Sequence, residues 1–327
     1  MKRKPLLHAL LAATGLAVLA GAAPARAGDK TTLTVFAAGT LAVPYRDIDR
    51  AFEKLHPGVV VQPEFGGSVK MVKKITELHQ KADLYAAADY SVIPKYLFGE
   101  SGQKRYADWY AGFASNAITF VYTDKSKYAK EINGHDWFKL LAKPGVEIGR
   151  SDPDTDPSGY QTVQMLNLAG RYYHDPRLEQ SVLANAPRTN MRDTETSLIS
   201  ALQLGQIDYL AIYRSDALQH HLNHLKLPAK INLSQPRYAD LYKTGVAHTK
   251  NGTLTGKPIV YALTIPDNAA HKDLAEAYAA FVLGPQGRKI LARHGFGTFQ
   301  VPPAVGRAQM PASLQKLVKP WSAKGAG

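Results

Sequence analysis

The chain has 327 residues, 45% of them hydrophobic and 20% charged. That is enough for one large or two medium hydrophobic cores, and it excludes a disordered chain or a small disulfide-stapled scaffold. Lysine and arginine number 40 against 27 acidic residues, a net charge of +13, and cysteine is absent. Thiolate nucleophiles, iron–sulfur clusters, Cys-ligated zinc and disulfides are therefore excluded together.

The N-terminus divides into a basic stretch ending at Lys4, an apolar run from Leu6 to Ala20 and small residues at Ala25 and Ala27. This pattern predicts a secretory signal over residues 1–27, cleaved after Ala27. An uncleaved anchor fits less well, because the run is short for a span and carries His8 and Thr14. Removing the leader takes away Lys2, Arg3, Lys4 and Arg26 and no acid, which leaves a charge of about +9 on an exported, periplasmic chain. A surplus of that size favours anionic partners without naming one.

Behind the leader, Leu33–Phe36 is a short buried strand. Ala37–Thr40 turns out of it, Tyr45–Leu55 has helical spacing, and Val59–Val61 is extended again. A second helical pattern covers Val69–His79, and the small-residue run KADLYAAAD reads as a strand entering a loop at Asp89. These units predict an α/β chain with a mostly parallel sheet and ligand-gathering βα loops. Tyr110–Thr123 is expected as one long strand that can pass between lobes. Trp137–Leu141, Thr162–Tyr173 and Thr196–Leu204 read as helices, the last capped by Gly205, and IDYLAIYRSDALQHHLNHL repeats the strand-to-helix switch. GKPIVYALTIP is extended, and Lys272–Leu283 and Pro285–Arg293 are consecutive helices. The economical organisation is one lobe from residues 30–115 plus 262–305, a second from 116–261, and a tail over 306–327; a single doubly wound domain is the alternative.

Four loops put small or polar residues where strands end or helices begin: Gly39-Thr40, Gly67-Ser68, Asp156 to Tyr160 with Ser158 and Gly159, and Tyr213-Arg214. Helix starts leave backbone N–H groups unpaired, so two such starts facing each other, with hydroxyls from Thr40 and Ser68, can cradle an oxyanion without much side-chain charge. Each loop alone is equally readable as an ordinary cap or turn. Arg214 and, less directly, Arg150 could add a guanidinium fork to such a ligand.

Other constellations are weaker. Asp152, Asp154 and Asp156 alternate like a calcium loop but lack the rest of that pattern, so a polar turn is expected and no free-cation site is assigned. His220 and His224 are placed one helical turn apart, with His221 pointing elsewhere, which would offer zinc two ligands at most. GTLTGKP at Gly252–Pro258 lacks the spacing and the hydroxyl of a phosphate loop, and neither GxSxG nor HExxH occurs. Paired acids, Asp193 with Glu195 or Asp152 with Asp156, would suit a secreted cleft hydrolase only if held across a cleft. The 17 tyrosines fall largely in apolar runs, and no nucleic-acid motif accompanies them.

Taken in order, Phe36–Pro44 (FAAGTLAVP), Gly66–Pro94 (GGSVKMVKKITELHQKADLYAAADYSVIP), Ser151–Thr162 (SDPDTDPSGYQT), Ile207–Leu222, Ile231–Ser234 and Gly284–Phe296 resemble the periplasmic substrate-binding proteins of molybdate/tungstate ABC importers, in the branch best known from archaea. The resemblance covers nearly all of the exported chain. It implies a two-lobed type II periplasmic-binding-protein fold with the ligand cleft between lobes, no catalysis, no cofactor, a monomer, a small inorganic oxyanion as ligand and an inner-membrane permease as partner. It also implies that Thr40 and Ser68 offer N–H and hydroxyl groups to the anion, and that Asp156 approaches the molybdenum or tungsten atom itself. The branch completes that contact with a glutamate from the second lobe, and the aligned residue here is Ile212, which has no oxygen to give. Asp156 then either keeps its contact alone, accepts a hydrogen bond from a protonated anion, or turns away and leaves Ser158, Tyr160 or Tyr213 to donate. Sulfate, thiosulfate, phosphate and arsenate therefore stay open as alternative ligands.

Overall fold

The computed structural model describes residues 30–99 and 104–321; the expected leader lies outside them. The chain begins with β1 (Thr31–Ala38), α1 (Ala42–Leu55), β2 (Val59–Gly66), α2 (Ser68–Thr76), β3 (Leu84–Ala87), α3 (Val92–Leu97), β4 (Tyr110–Ser115) and β5 (Ile118–Tyr122). It continues through α4 (Trp137–Leu141), β6 (Ile148–Ser151), α5 (Pro157–Tyr172), α6 (Leu178–Ala184), β7 (Met191–Arg192), α7 (Ile199–Leu204), β8 (Tyr209–Tyr213), α8 (Arg214–Gln219) and β9 (Asn223–His224). The last part holds α9 (Ala239–Tyr242), β10 (Val246–Thr249), β11 (Gly252–Thr255), β12 (Val260–Thr264), α10 (Lys272–Leu283), α11 (Pro285–Arg293), β13 (Gly297–Thr298), β14 (Pro303–Val305), α12 (Ala312–Gln315) and β15 (Lys319–Pro320).

Two sheets organise these elements. The first has the order β15-β14-β4-β12-β3-β1-β2, with β13 also on β4, and the second has the order β7-β6-β8-β5-β9. β10 and β11 form a separate antiparallel hairpin. β1 is parallel to β2 and β3, but β12 runs antiparallel to both β3 and β4. The first sheet is thus mixed rather than mostly parallel, because the chain re-enters it from the second sheet in the opposite sense. The expected long strand at Tyr110–Thr123 is two strands in different sheets, broken at Asn116-Ala117, where the chain crosses over. The return crossing lies beside it: the Asn116 N–H donates to the Ile259 carbonyl at 3.3 Å.

The cores follow from the strand pattern. β3 and β12 are buried along their whole length, as expected of central strands covered on both faces. α1 turns Tyr45, Ile48 and Phe52 inward, and the Tyr45 and Phe52 rings meet Tyr278 of α10 at 6.3 and 5.1 Å. α10 and α11 run to the predicted residues, separated by Gly284 and the helix-starting Pro285. The stretch expected as a tail instead adds β15 to the edge of the first sheet through β14, and Trp321 packs 4.7 Å from the Tyr90 ring.

Candidate functional site

Both sheets send the ends of their strands to one place. β1 passes at Ala38 into a 3-10 turn whose residues Gly39, Thr40 and Leu41 are all buried. β2 ends at Gly66, and α2 starts at Ser68 behind Gly67. From the second sheet, β6 ends at Ser151, and Asp156 precedes the Pro157 that opens α5. A 3-10 turn at Glu195–Leu198 and the start of α8 behind β8 complete the set. Glycine is required where these segments meet. A Cβ on Gly67 would lie 2.5 Å from the Thr155 carbonyl oxygen and 3.1 Å from the Asp156 Cβ, and one on Gly39 would lie 3.1 Å from Thr194 Cγ2. A side chain at Gly67 would hold the segments apart, whereas one at Gly39 would ask the Thr194 side chain to give by a few tenths of an ångström.

The buried polar groups gather at that meeting point. Thr40 Oγ1 donates to Asp216 Oδ2 at 2.7 Å. Ser68 Oγ accepts the Ala88 N–H at 3.0 Å, which leaves its own hydroxyl hydrogen to give. The Asp156 carboxyl faces the backbone N–H groups of Ser68 and Ser158, one from each helix start, together with the carboxyl of Glu195. Asp156, Glu195 and Asp216 are 3%, 1% and 1% exposed, a degree of burial rare for carboxylates without a cation.

Their protonation follows from that burial. Desolvation pushes Asp156 up to about 6, although the Glu195 carboxyl, the Ser151 hydroxyl and the two N–H groups pull the other way. Desolvation also raises Glu195 well above the ordinary range, with the charges of Asp156 and Asp216 adding to it. Asp216 is pushed up to about 7, again by burial first, with the Thr40 hydroxyl opposing. Loss of water and like-charge proximity act together here, and each favours the protonated form.

Of the residues expected at the site, Gly39, Thr40, Gly67, Ser68, Asp156 and Ser158 are brought together. Ser158 Oγ is fully buried and has no hydrogen-bond partner. Gly159 serves packing: a Cβ there would lie 2.6 Å from the Pro153 nitrogen. Tyr160 and Tyr213 border the site, but their hydroxyls are committed, to Asp89 Oδ2 at 2.8 Å and to Gln161 Oε1 at 2.7 Å. Arg214 is not brought in. Its side chain is exposed and lines a separate cavity with Asn116, Lys226 and Asn232, while its N–H ties to Ala117. Arg150 is not brought in either: it is half-buried, its Nε and Nη1 have no hydrogen-bond partner, and the charges that act on it are those of Asp152 and Arg188. Ile212 is fully buried in an apolar cluster with Leu198, Leu202 and Leu210.

Two further expectations change. α8 ends at Gln219 and His221 adopts a positive φ of 51°, so His220 and His224 do not share a helix face. The acidic loop is a turn, in which the Asp154 N–H donates to Asp152 Oδ1 at 2.9 Å, and among the described residues no three acids or histidines are placed to hold a metal ion. Glu195, Asp216 and Ser151 were not foreseen as ligand-site groups. The signal available for them was positional, since each stands at a strand end or in the first turn behind one.

Residues 33–297 match the bacterial extracellular solute-binding protein family. The chain belongs to that family. A solute-binding protein of Petrotoga mobilis is 41% identical over 88% of this chain and 90% of its own length. The molybdate/tungstate-binding protein WtpA of Thermococcus kodakarensis is 36% identical over 89% of this chain and 88% of its own. Among solved structures, the periplasmic molybdate-binding protein of Azotobacter vinelandii superposes with a TM-score of 0.61 at 18% identity, covering 82% of this chain and all of the other. The sulfate-binding protein SubI of Mycobacterium tuberculosis gives 0.57 at 16% identity, over 83% and 88%. At those identities the structural likeness establishes the two-lobed α/β fold of a solute-binding protein.

Proposed function

We propose that this solute-binding protein captures tungstate or molybdate outside the cytoplasm, as an exported monomer, and presents it to an inner-membrane ABC permease. The observation that carries this reading is the pair of buried helix starts, at Ser68 of α2 and Ser158 of α5, which bring one segment from each sheet up to the Asp156 side chain. The hydroxyls of Ser68 and Ser158 stand at these helix starts with hydrogens to give, whereas that of Thr40 donates to Asp216. Neutral N–H and O–H donors held in a dry site suit a tetrahedral dianion, since they stabilise negative charge without needing to be reoriented. The relatives named for molybdate and tungstate at about a third identity favour these anions over others.

Anion capture works through closure. Each lobe offers only part of the donor set, so the anion favours the state in which both parts reach it, and the population shifts to the closed form that the permease meets. Gly39 and Gly67 permit the approach. The hydroxyl of Tyr160 and the ammonium of Lys257, which lies 3.1 Å from Asp89 Oδ2, both bind Asp89 across the two sheets' segments.

A second reading, another tetrahedral oxyanion such as sulfate, thiosulfate, phosphate or arsenate, is favoured by Ile212, whose alkyl side chain cannot complete an expanded coordination of a metal centre. Calorimetry of refolded, ligand-free protein against tungstate, molybdate, sulfate, thiosulfate, phosphate and arsenate separates the two. Tungstate and molybdate are expected to bind more tightly than the rest by at least a hundredfold. Heat from none of the six would refute the oxyanion reading.

A further inference from the structure

The chain crosses between the two sheets twice, and a third segment lies against both crossings. The Ile118 N–H donates to the Asn232 carbonyl at 3.0 Å, and the Ile259 N–H donates to the Leu233 carbonyl at 2.8 Å. Leu233 is fully buried and holds a positive φ of 61°, a conformation that a bulky residue keeps only where its surroundings enforce it. The hinge is therefore a joint of three hydrogen-bonded segments.

A cavity of about 540 Å³ opens on this joint, a volume in the range of small-molecule sites. Ser115 and Gly297 border it from the first sheet, Asn116 and Ala117 from the crossing, and Arg214 and Lys226 from the second lobe. No aspartate or glutamate lines it. Among the described residues, the Arg214 guanidinium and the Lys226 ammonium make no ion pair or hydrogen bond of their own.

The strand register sets the spacing of these two cations. The Arg214 N–H donates to the Ala117 carbonyl at 2.8 Å on one side of β5, where β8 ends, and the Leu225 N–H donates to the Phe120 carbonyl at 3.0 Å on the other, where β9 ends. Strands on opposite sides of a third lie about 10 Å apart. Between the cations, Ile118, Leu225 and Leu227 give the cavity an apolar floor. A single tetrahedral anion is too small to reach both charges, whereas a short carbon frame with an anionic group at each end spans them.

We propose that this cavity is a second ligand site, for a small organic anion bearing two or more carboxylate or phosphoryl groups, and that its occupancy is felt at the cleft through the hinge. One anionic group pairs with Arg214, another with Lys226, and the frame rests on the apolar floor. The walls belong to both lobes, so lobe motion reshapes the cavity and a bound ligand favours one form. The shape described accompanies the closed cleft. The ligand therefore tightens anion binding in the cleft, and the cleft anion tightens the ligand by the same factor.

The test is calorimetry of the exported chain near neutral pH, with the cleft first saturated with tungstate so that the added compound cannot enter it. Tricarballylate and pyrophosphate are the probes, and their comparison separates carboxylate from phosphoryl recognition. At least one is expected to bind, and the double variant Arg214→Ala, Lys226→Ala is expected to weaken it about tenfold or more. Both residues are exposed, so the variant is expected to fold and, without probe, to bind tungstate as the wild type does. Saturating probe is expected to raise tungstate affinity about fivefold in the wild type and to leave it unchanged in the variant. Binding of neither probe, or equal binding by the double variant, would overturn the site; a wild-type tungstate affinity that the bound probe does not change would overturn the coupling. The site does not rest on which anion the cleft takes. Should none of the six anions fill the cleft, comparison of the two proteins without tungstate decides the site by itself.

Discussion

The hydroxyl of Tyr160, on α5 of one lobe, donates to Asp89 Oδ2, behind β3 of the other, at 2.8 Å. Both side chains are buried. The bond therefore links the lobes in a place water does not reach, where a hydrogen bond to a carboxylate contributes about 1.5–3 kcal/mol. Tyr160→Phe removes the donor and leaves Asp89 with Lys257 and Ser91. We expect its anion affinity to fall about tenfold, with the loss chiefly in the dissociation rate, measured by calorimetry and stopped-flow fluorescence.

Gly67 tests closure from the steric side. A methyl group there would press on the Thr155 carbonyl oxygen of the opposite lobe at 2.5 Å. Gly67→Ala should leave the melting temperature of the ligand-free protein nearly unchanged while lowering anion affinity by more than tenfold. Small-angle scattering should also show the variant staying open in saturating anion.

Ile212 sits at 0% exposure among leucines, so a glutamate there would place a carboxyl in an apolar cluster. Ile212→Glu is expected to cost about 3 kcal/mol or more of stability rather than to raise tungstate affinity. Urea unfolding and calorimetry on the same preparation check both parts.

Arg214 is exposed and lies away from the carboxyl cluster. Arg214→Ala should keep anion affinity within about twofold at low and at high ionic strength, as distant exposed charges are largely screened. A strong weakening confined to low salt would restore it to the site.

Asp49 of α1, a buried acid away from the site, supplies a pH signature independent of the ligand. Burial pushes it up to about 7, although Tyr278 donates to it. Its folded value lies above its unfolded one, so its ionisation opposes folding: the contribution of Asp49 to stability is fully present below about pH 4 and is lost as pH rises through about 7. Asp49→Asn should therefore melt higher than wild type at pH 8, by roughly 2 kcal/mol or more of stability, and the gap should close near pH 4.

Much of this architecture is written locally. α10 and α11 matched their expected bounds because Gly284-Pro285 both stops one helix and starts the next, and Gly205 caps α7 with φ 78°. Thr40, Ser68 and Asp156 were legible for the same reason, since small polar residues beside glycines mark helix starts. The mixed direction of the first sheet was not, because strand sense depends on how the chain returns from the other lobe.

The composition with which the chain opens bears on its site only indirectly. Its positive surplus lies outside the site, and the absence of cysteine leaves a site made of oxygen and backbone nitrogen. Sequence alone determined the alternation of strands and helices and the small polar residues at the helix starts, which are matters of residue type and local spacing. Only the tertiary structure decided that Arg214 faces water and that Glu195 and Asp216 join Asp156. In the sequence those two acids look like ordinary solvated residues in short turns. What changes their chemistry is the removal of water by segments far away in the chain, and no local pattern encodes that.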